Sequence, residues 1–388
     1  MIQDIRRMTQ FCFLMTFLVG FQARAELDFE IVQSVPLETT LEVPGVRLAQ
    51  DVWLEMINSA QKTIDIEQFY VSDEVGQALS PVLQAIENAS QRGVQVRLLV
   101  DKKFFGNYPE SVKRLGSCAK CESRTIDFAQ FGGVQHAKFF IVDGKQTFVG
   151  SQNFDWRALN QIHEIGVRVV DAKVIQDLQA IFEKDWNKGV VVKSTLRIMH
   201  SNQRQPENGP SVSALTLVAS PTIANPKGIL DSAQAITDLM KSAQQTLRIQ
   251  VMEYSLDVFG QSAKWRMLDD AIRAAAQRGV QVQLLVDASK VEKNKADLKS
   301  LAQIKGVEVK SAKIPQFSGG EIPYARLIHS KYLVVDQMGV WVGTENWSKG
   351  YFMNTRDVGV VVRRPESAAQ LAQVFDRIWS SEYVQFVR

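Results

Sequence analysis

The chain is poor in the residues on which thiol and metal chemistry depend, with three cysteines and four histidines among 388 residues. No second CxxC and no closely spaced histidine pair accompanies Cys118 and Cys121, so a zinc centre lacks ligands. His163 and His200 have no ligand spacing either and are expected at the surface. Charge of one sign is not in excess: 45 Lys and Arg against 42 Asp and Glu give a net +3. That withholds the broad basic field with which proteins grip duplex nucleic acid by counterion release. Long apolar runs are missing as well. The run from Phe11 to Phe21 falls well short of the ~20 residues of a membrane span. It follows Arg6 and Arg7 and precedes Ala23-Arg24-Ala25, the layout of a secretory signal cleaved after Ala25.

Residues 1–25 are therefore expected to leave, and the mature protein to be secreted or periplasmic, soluble or at most peripheral to a membrane. Loss of three arginines and one aspartate with the leader lowers the net charge to +1. Cys12 leaves with it, and Cys118 and Cys121 are the even pair expected to form a local disulfide in an oxidising compartment. Their polar loop does not open a helix after a strand, so a thioredoxin-type role is not expected.

What the sequence does hold is a duplication. His136-x-Lys138-x4-Asp143-x6-Gly150-Ser151-x-Asn153 returns 193 residues later as His329-x-Lys331-x4-Asp336-x6-Gly343-Thr344-x-Asn346. Arg92-Gly-Val-Gln-Val likewise matches Arg278-Gly-Val-Gln-Val, and Glu164-Ile-Gly-Val matches Asp357-Val-Gly-Val. Two fused, equivalent halves explain this better than convergent short stretches. Strands are expected at Thr63 to Tyr70, Val94 to Val100, Thr246 to Tyr254 and Val280 to Val286. Helices are expected at Ser80 to Gln91 and Lys264 to Gln277, which makes each half a mixed β-sheet flanked by helices, an α/β unit. The apolar-poor stretch 200–213 is read as a linker between domains at 26–199 and 214–388. The simplest packing is a pseudo-twofold that brings both motifs to one cleft.

Strand alternation puts His136 and Lys138 on one face and Asp143 on the other, at the start of an Asp-Gly turn; Asp143 and Asp336 are thus expected to be structural. Ser151, Asn153, Thr344 and Asn346 end the next strand, where short polar groups can reach the same pocket, the two hydroxyls as substrate-binding groups. A pocket of two His, two Lys, two Asn, a Ser and a Thr suits an anion such as a phosphodiester. One imidazole can attack phosphorus while the other protonates the leaving oxygen and then activates water. Glu164 and Asp357, each 28 residues after its motif histidine, can orient the rings. The scheme needs no metal and no cofactor.

The paired HxK(x)4D(x)6G[ST]xN motifs resemble those of the phospholipase D superfamily over nearly the whole mature chain. That resemblance implies two α/β domains sharing a cleft, metal-independent chemistry and a phosphohistidine intermediate. It implies site roles for His136 and His329, Lys138 and Lys331, Asn153 and Asn346, with His136 the nucleophile and His329 the general acid/base. Phe154-Asp-Trp-Arg157 and Gly343-Thr-Glu-Asn-Trp-Ser-Lys-Gly-Tyr-Phe352 resemble the branch with animal phospholipase D3 and D4 and related bacterial exported proteins. Phospholipid headgroup hydrolysis is the preferred expectation, from export, low net charge and rim aromatics Phe104, Phe105, Phe317 and Tyr351. A nuclease acting on single-stranded ends, with Phe69, Tyr70 and Tyr254 available to stack bases, is the alternative. A phosphatidyl transferase shares the first chemical step; a binding protein without activity fits poorly with two complete motifs. A monomer is expected.

Overall fold

The computed structural model describes residues 28–195 and 214–388. The leader, the linker at 200–213 and His200 lie outside the described residues. Two nine-stranded mixed sheets carry the fold. The first runs, in spatial order, Val190–Ser194, Cys121–Ile126, Gln95–Asp101, Thr63–Gln68, Phe139–Val142, Gln146–Gly150, Glu164–Val169, Phe29–Ser34 and Arg47–Leu48. The second repeats that order with Val384–Phe386, Val307–Ala312, Gln281–Asp287, Thr246–Gln250, Tyr332–Val335, Gly339–Gly343, Asp357–Val362, Leu215–Ser220 and Leu230–Asp231.

Local signals explain the elements. Helix Ser80–Gln91 opens with Pro81 in its first turn, buries Val82, Leu83, Ile86 and Ala89, and stops before Gly93 at φ 103°. Its counterpart is shorter than expected, Met267–Gln277, because Lys264 is held outside it by Asp257 and Asp297. The strands Thr63–Gln68 and Thr246–Gln250 also end earlier than expected. After Gln68 the chain turns Phe69 and Tyr70 into an aromatic cluster. After Gln250 it carries Tyr254 into the second half's core, where its hydroxyl donates to Asp269 at 2.6 Å. Tyr254 is therefore packing, not a cleft residue.

Strand alternation divides the apolar side chains between two layers. Phe140 and Val142 face the first half's own helices, beside Trp53 and Ile86, whereas Phe139 and Ile141 face the other half. That central core interleaves Phe139, Val167 and Phe182 with Val342, Val360 and Phe375. The halves thus meet as the layers of one domain do. Asp143 and Asp336 both adopt positive φ, 55° and 51°. Asp143 accepts the N–H groups of Gln61, Lys62 and Thr63 at 2.7–2.9 Å, and Asp336 those of Gln244, Gln245 and Thr246 at 2.7–2.9 Å. Each motif aspartate fastens its hairpin to the start of the neighbouring strand. The motif glycines leave room for rings: Gly150 lies opposite Gly166 and Gly343 opposite Gly359. A Cβ at Gly343 would come within 2.4 Å of the Trp341 ring.

Candidate active site

The motif residues of both halves converge where the sheets meet. Two equivalent backbone bridges pin them: His136 N–H donates to Arg356 O at 2.8 Å, and His329 N–H donates to His163 O at 2.9 Å. The pseudo-twofold relation is visible in these pairs, since 136 and 163 are displaced by 193 from 329 and 356. Each motif histidine is thereby held at the residue just before the other half's acid.

That arrangement crosses the ring partners. Each acid serves the histidine of the opposite half, not of its own. His136 Nδ1 meets Asp357 Oδ1 at 2.7 Å; His329 Nδ1 meets Glu164 Oε1 and Oε2 at 2.9 and 3.0 Å. A carboxylate acceptor puts the proton on Nδ1 and leaves Nε2 of each ring for chemistry. Both acids are completely buried, so neither is a solvated strand-end carboxylate. Lys138 and Lys331 donate to the carbonyls of His136 and His329, two residues back.

The hydroxyls of Ser151 and Thr344 are engaged with the buried acids. Both are fully buried. Thr344 Oγ1 donates to Asp357 Oδ1 at 2.6 Å, and Ser151 accepts Ile165 N–H at 3.1 Å while lying against Glu164. The hydroxyls brace the acids that orient the rings. Asn153 and Asn346 remain at the site, each with an Oδ1 that has no partner among the described residues, and Asn346 borders the Tyr351 hydroxyl. Cys118 and Cys121 are bonded to each other in the turn before Cys121–Ile126.

His163 is another correction. Instead of a surface residue it is buried at the junction, its Nδ1 3.1 Å from Ser330 Oγ and 3.2 Å from Gln250 Nε2. Burial pushes its imidazole down to about 4, so it stays neutral. Its counterpart Arg356 is fully buried and holds Asp185 with two nitrogens, at 2.7 and 3.2 Å, plus the carbonyls of Ser220 and Ala224. The sequence carried one signal for these residues: they immediately precede the two acids.

Electrostatics differ between the two histidine–acid pairs. Burial works to raise Glu164, but the charges of His329 and Lys331 outweigh it and hold the carboxyl below its ordinary range. Asp357 is pushed well above its range by burial and by Glu345. Burial also lowers both histidines. His136 falls well below the ordinary value, with Lys138 and Lys331 adding to the effect, while Glu164 counteracts the fall of His329. Burial takes Lys138 down to about 7 and Lys331 well below its ordinary value. Both rings are therefore held toward the neutral form, His136 more strongly than His329, where Glu164 opposes the fall.

The pocket opens on the His136 side. A cleft of about 580 Å³ is lined by Phe69, Lys103, Phe104, Gly133, His136 and Tyr351, among others. Phe69 and Tyr351 stand edge-on to the His136 ring, with centroids at 4.9 and 5.1 Å, and Phe104 is 3.9 Å from Phe69. Tyr70 and Tyr108 stack behind them at 4.9 Å. Of the expected rim aromatics, Phe104 and Tyr351 line this cleft; Phe105 packs against the first half's core and Phe317 lies under Arg326.

A duplicated mixed sheet with two His–Lys motifs sharing one buried site defines a phospholipase D-type phosphodiesterase. A family model described as "Cardiolipin synthase, PLD-like domain" matches residues 53–186 and 236–379, and the chain belongs to the phospholipase D superfamily. Curated relatives include the 5'-3' exonuclease PLD3 of Xenopus laevis, 31% identical over 85% of this chain and 75% of its own length. Phospholipase D Z of Dictyostelium discoideum is 29% identical over 92% of this chain and 90% of its own. The virion nicking-joining enzyme of Vaccinia virus is 31% identical over 86% and 83%. Among solved structures, phosphatidylserine synthase of Haemophilus influenzae shares the fold at a TM-score of 0.62 and 13% identity, over 87% of this chain and 85% of that one.

Proposed function

We propose that the protein is an exported phosphodiesterase that works through a phosphohistidine on His136 and takes single-stranded nucleic acid by its end. His136 Nε2 attacks phosphorus as the P–O bond to the leaving alcohol breaks, and His329 Nε2–H gives its proton to that oxygen. His329 then takes a proton from water, the water oxygen bonds phosphorus, and the P–N bond breaks to restore His136. Lys138, Lys331, Asn153 and Asn346 offer donors to the non-bridging oxygens.

The single observation that carries the substrate is the aromatic wall beside His136. Flat rings of Phe69, Phe104 and Tyr351 with Lys103 at the same cleft suit a base stacked next to a phosphate. One lining cation is too little for a duplex track, which favours a strand end. Relatives named as exonucleases support the same reading. Phospholipid headgroup hydrolysis is the second reading, favoured by the phospholipase D-named relatives and by an apolar cleft wall able to take acyl carbons. The test is turnover in EDTA on end-labelled single-stranded DNA and on mixed phospholipid vesicles, with His136→Ala as blank. Shortened DNA with intact lipid is expected; headgroup release with intact DNA would overturn the nucleic-acid reading in favour of the lipid one.

A further inference from the structure

One buried acid is not used by the chemistry above. Glu345 lies between Thr344 and Asn346 and is completely buried. Its Oε2 accepts the Thr344 N–H at 3.0 Å. The same Thr344 gives its hydroxyl proton to Asp357 Oδ1 at 2.6 Å, and His136 gives Nδ1–H to that oxygen at 2.7 Å. All the donors therefore go to one oxygen of each acid. The other two, Asp357 Oδ2 and Glu345 Oε1, are buried without a hydrogen-bond partner among the described residues. Thr344 ties the two acids together, and two orphaned carboxylate oxygens are costly; a single proton held between the acids relieves both.

The groups around the acids divide: burial and the like charges of Asp231 and Glu345 favour the proton, whereas Ser232, Lys138 and Lys331 favour the ionised forms. Asp231 and Ser232 face Glu345 from the start of helix Ser232–Lys241, and Lys138 and Lys331 face Asp357 from the motif segments. Glu345 is the strongest like charge on Asp357, and burial lifts Glu345 to about 7. The first half has the neutral Gln152 at the matching position, its Nε2 3.4 Å from Ser34 Oγ. The acid is thus a feature of the side that serves His136 alone.

We infer that Glu345 is a positioning residue that shares one proton with Asp357 and so keeps the His136 ring neutral until it attacks. This inference rests on the role proposed for His136. When Nε2 bonds phosphorus the ring becomes cationic; the proton passes from Asp357 Oδ2 to Glu345 Oε1, and Asp357 is left as the carboxylate that faces the imidazolium. No proton leaves the pocket, and charge develops only where it is matched.

Glu345→Gln replaces the shared proton with a fixed amide N–H and leaves Asp357 ionised. An ionised neighbour favours the imidazolium, so the acid limb of the kcat/KM pH profile should rise by about one unit or more, with activity retained on the alkaline side. A limb that stays in place while thermal stability falls would make Glu345 merely structural and overturn the inference. Infrared spectra provide a readout independent of turnover. The difference between the native protein and E345Q at pH 7 should contain the C=O stretch of a protonated carboxylic acid, and its absence would overturn the shared proton whatever the substrate proves to be. If E345Q does not fold, ¹³C-carboxyl titration of Glu345 in the native protein decides the same point: ionisation at the ordinary glutamate pH overturns it. Failure of His136 to form a phospho-adduct, with the infrared band present, would instead remove the mechanism and leave the proton.

Discussion

At the scale of single residues, the site is two rings with different partners. His136→Ala and His329→Ala should each abolish turnover while the thermal unfolding temperature stays close to wild type, because both side chains end at the shared site and not in an apolar core cluster. Single-turnover experiments separate them: label trapped in the wild-type protein should sit on His136, and label on His329 instead would exchange their roles. Glu164→Gln removes the carboxylate that holds the His329 proton and should lower kcat by about 10²–10⁴-fold, the usual worth of a positioned proton donor. The two rings, the two lysines and the two asparagines were legible in the sequence because a gapped pattern repeated in register. The partners were not, because sequence spacing from each histidine to its own half's acid, 28 residues in both cases, says nothing about an axis that exchanges them. Glu345, His163 and Arg356 escaped for a related reason: their meaning comes from burial against the opposite half.

At the scale of elements, the hairpin after each HxK segment is held by a carboxylate and relieved by a glycine. Asp143 is kept below the ordinary carboxyl range: burial works against this, but three backbone N–H groups outweigh it. With the folded value below the unfolded one, its contribution is present above the unfolded value of 3.8 and is lost as pH falls through the folded value. Asp143→Ala should cost at least about 2 kcal/mol at neutral pH, measured by urea unfolding, and the difference from wild type should shrink under acid. Gly343→Ala should cost about 1–3 kcal/mol through overpacking against Trp341. The early ends of the Thr63–Gln68 and Thr246–Gln250 strands were beyond reach of periodicity, because Phe69 and Tyr254 continue an apolar pattern while the chain leaves the sheet for different destinations.

At the scale of the molecule, the layered junction carries a fully buried ion pair, Arg356 with Asp185. Removing one partner, as in Arg356→Ala, should destabilise the protein by about 3–5 kcal/mol, because the remaining charge stays in the dry junction. The crossed acids have a wider consequence. A half on its own holds a histidine whose carboxylate is elsewhere and a carboxylate whose histidine is elsewhere, so it carries no working pair. Loss then acts on the pairs and not on the halves: a lesion at Asp357 removes the ring partner of the histidine in the opposite half. Fusion of the copies also freed them to differ. Two identical subunits around a true axis would have to keep Glu or Asp, Gln or Glu, His or Arg the same on both sides; this chain has chosen differently at all three places, which is how a symmetric scaffold comes to divide attack and proton donation between two like residues.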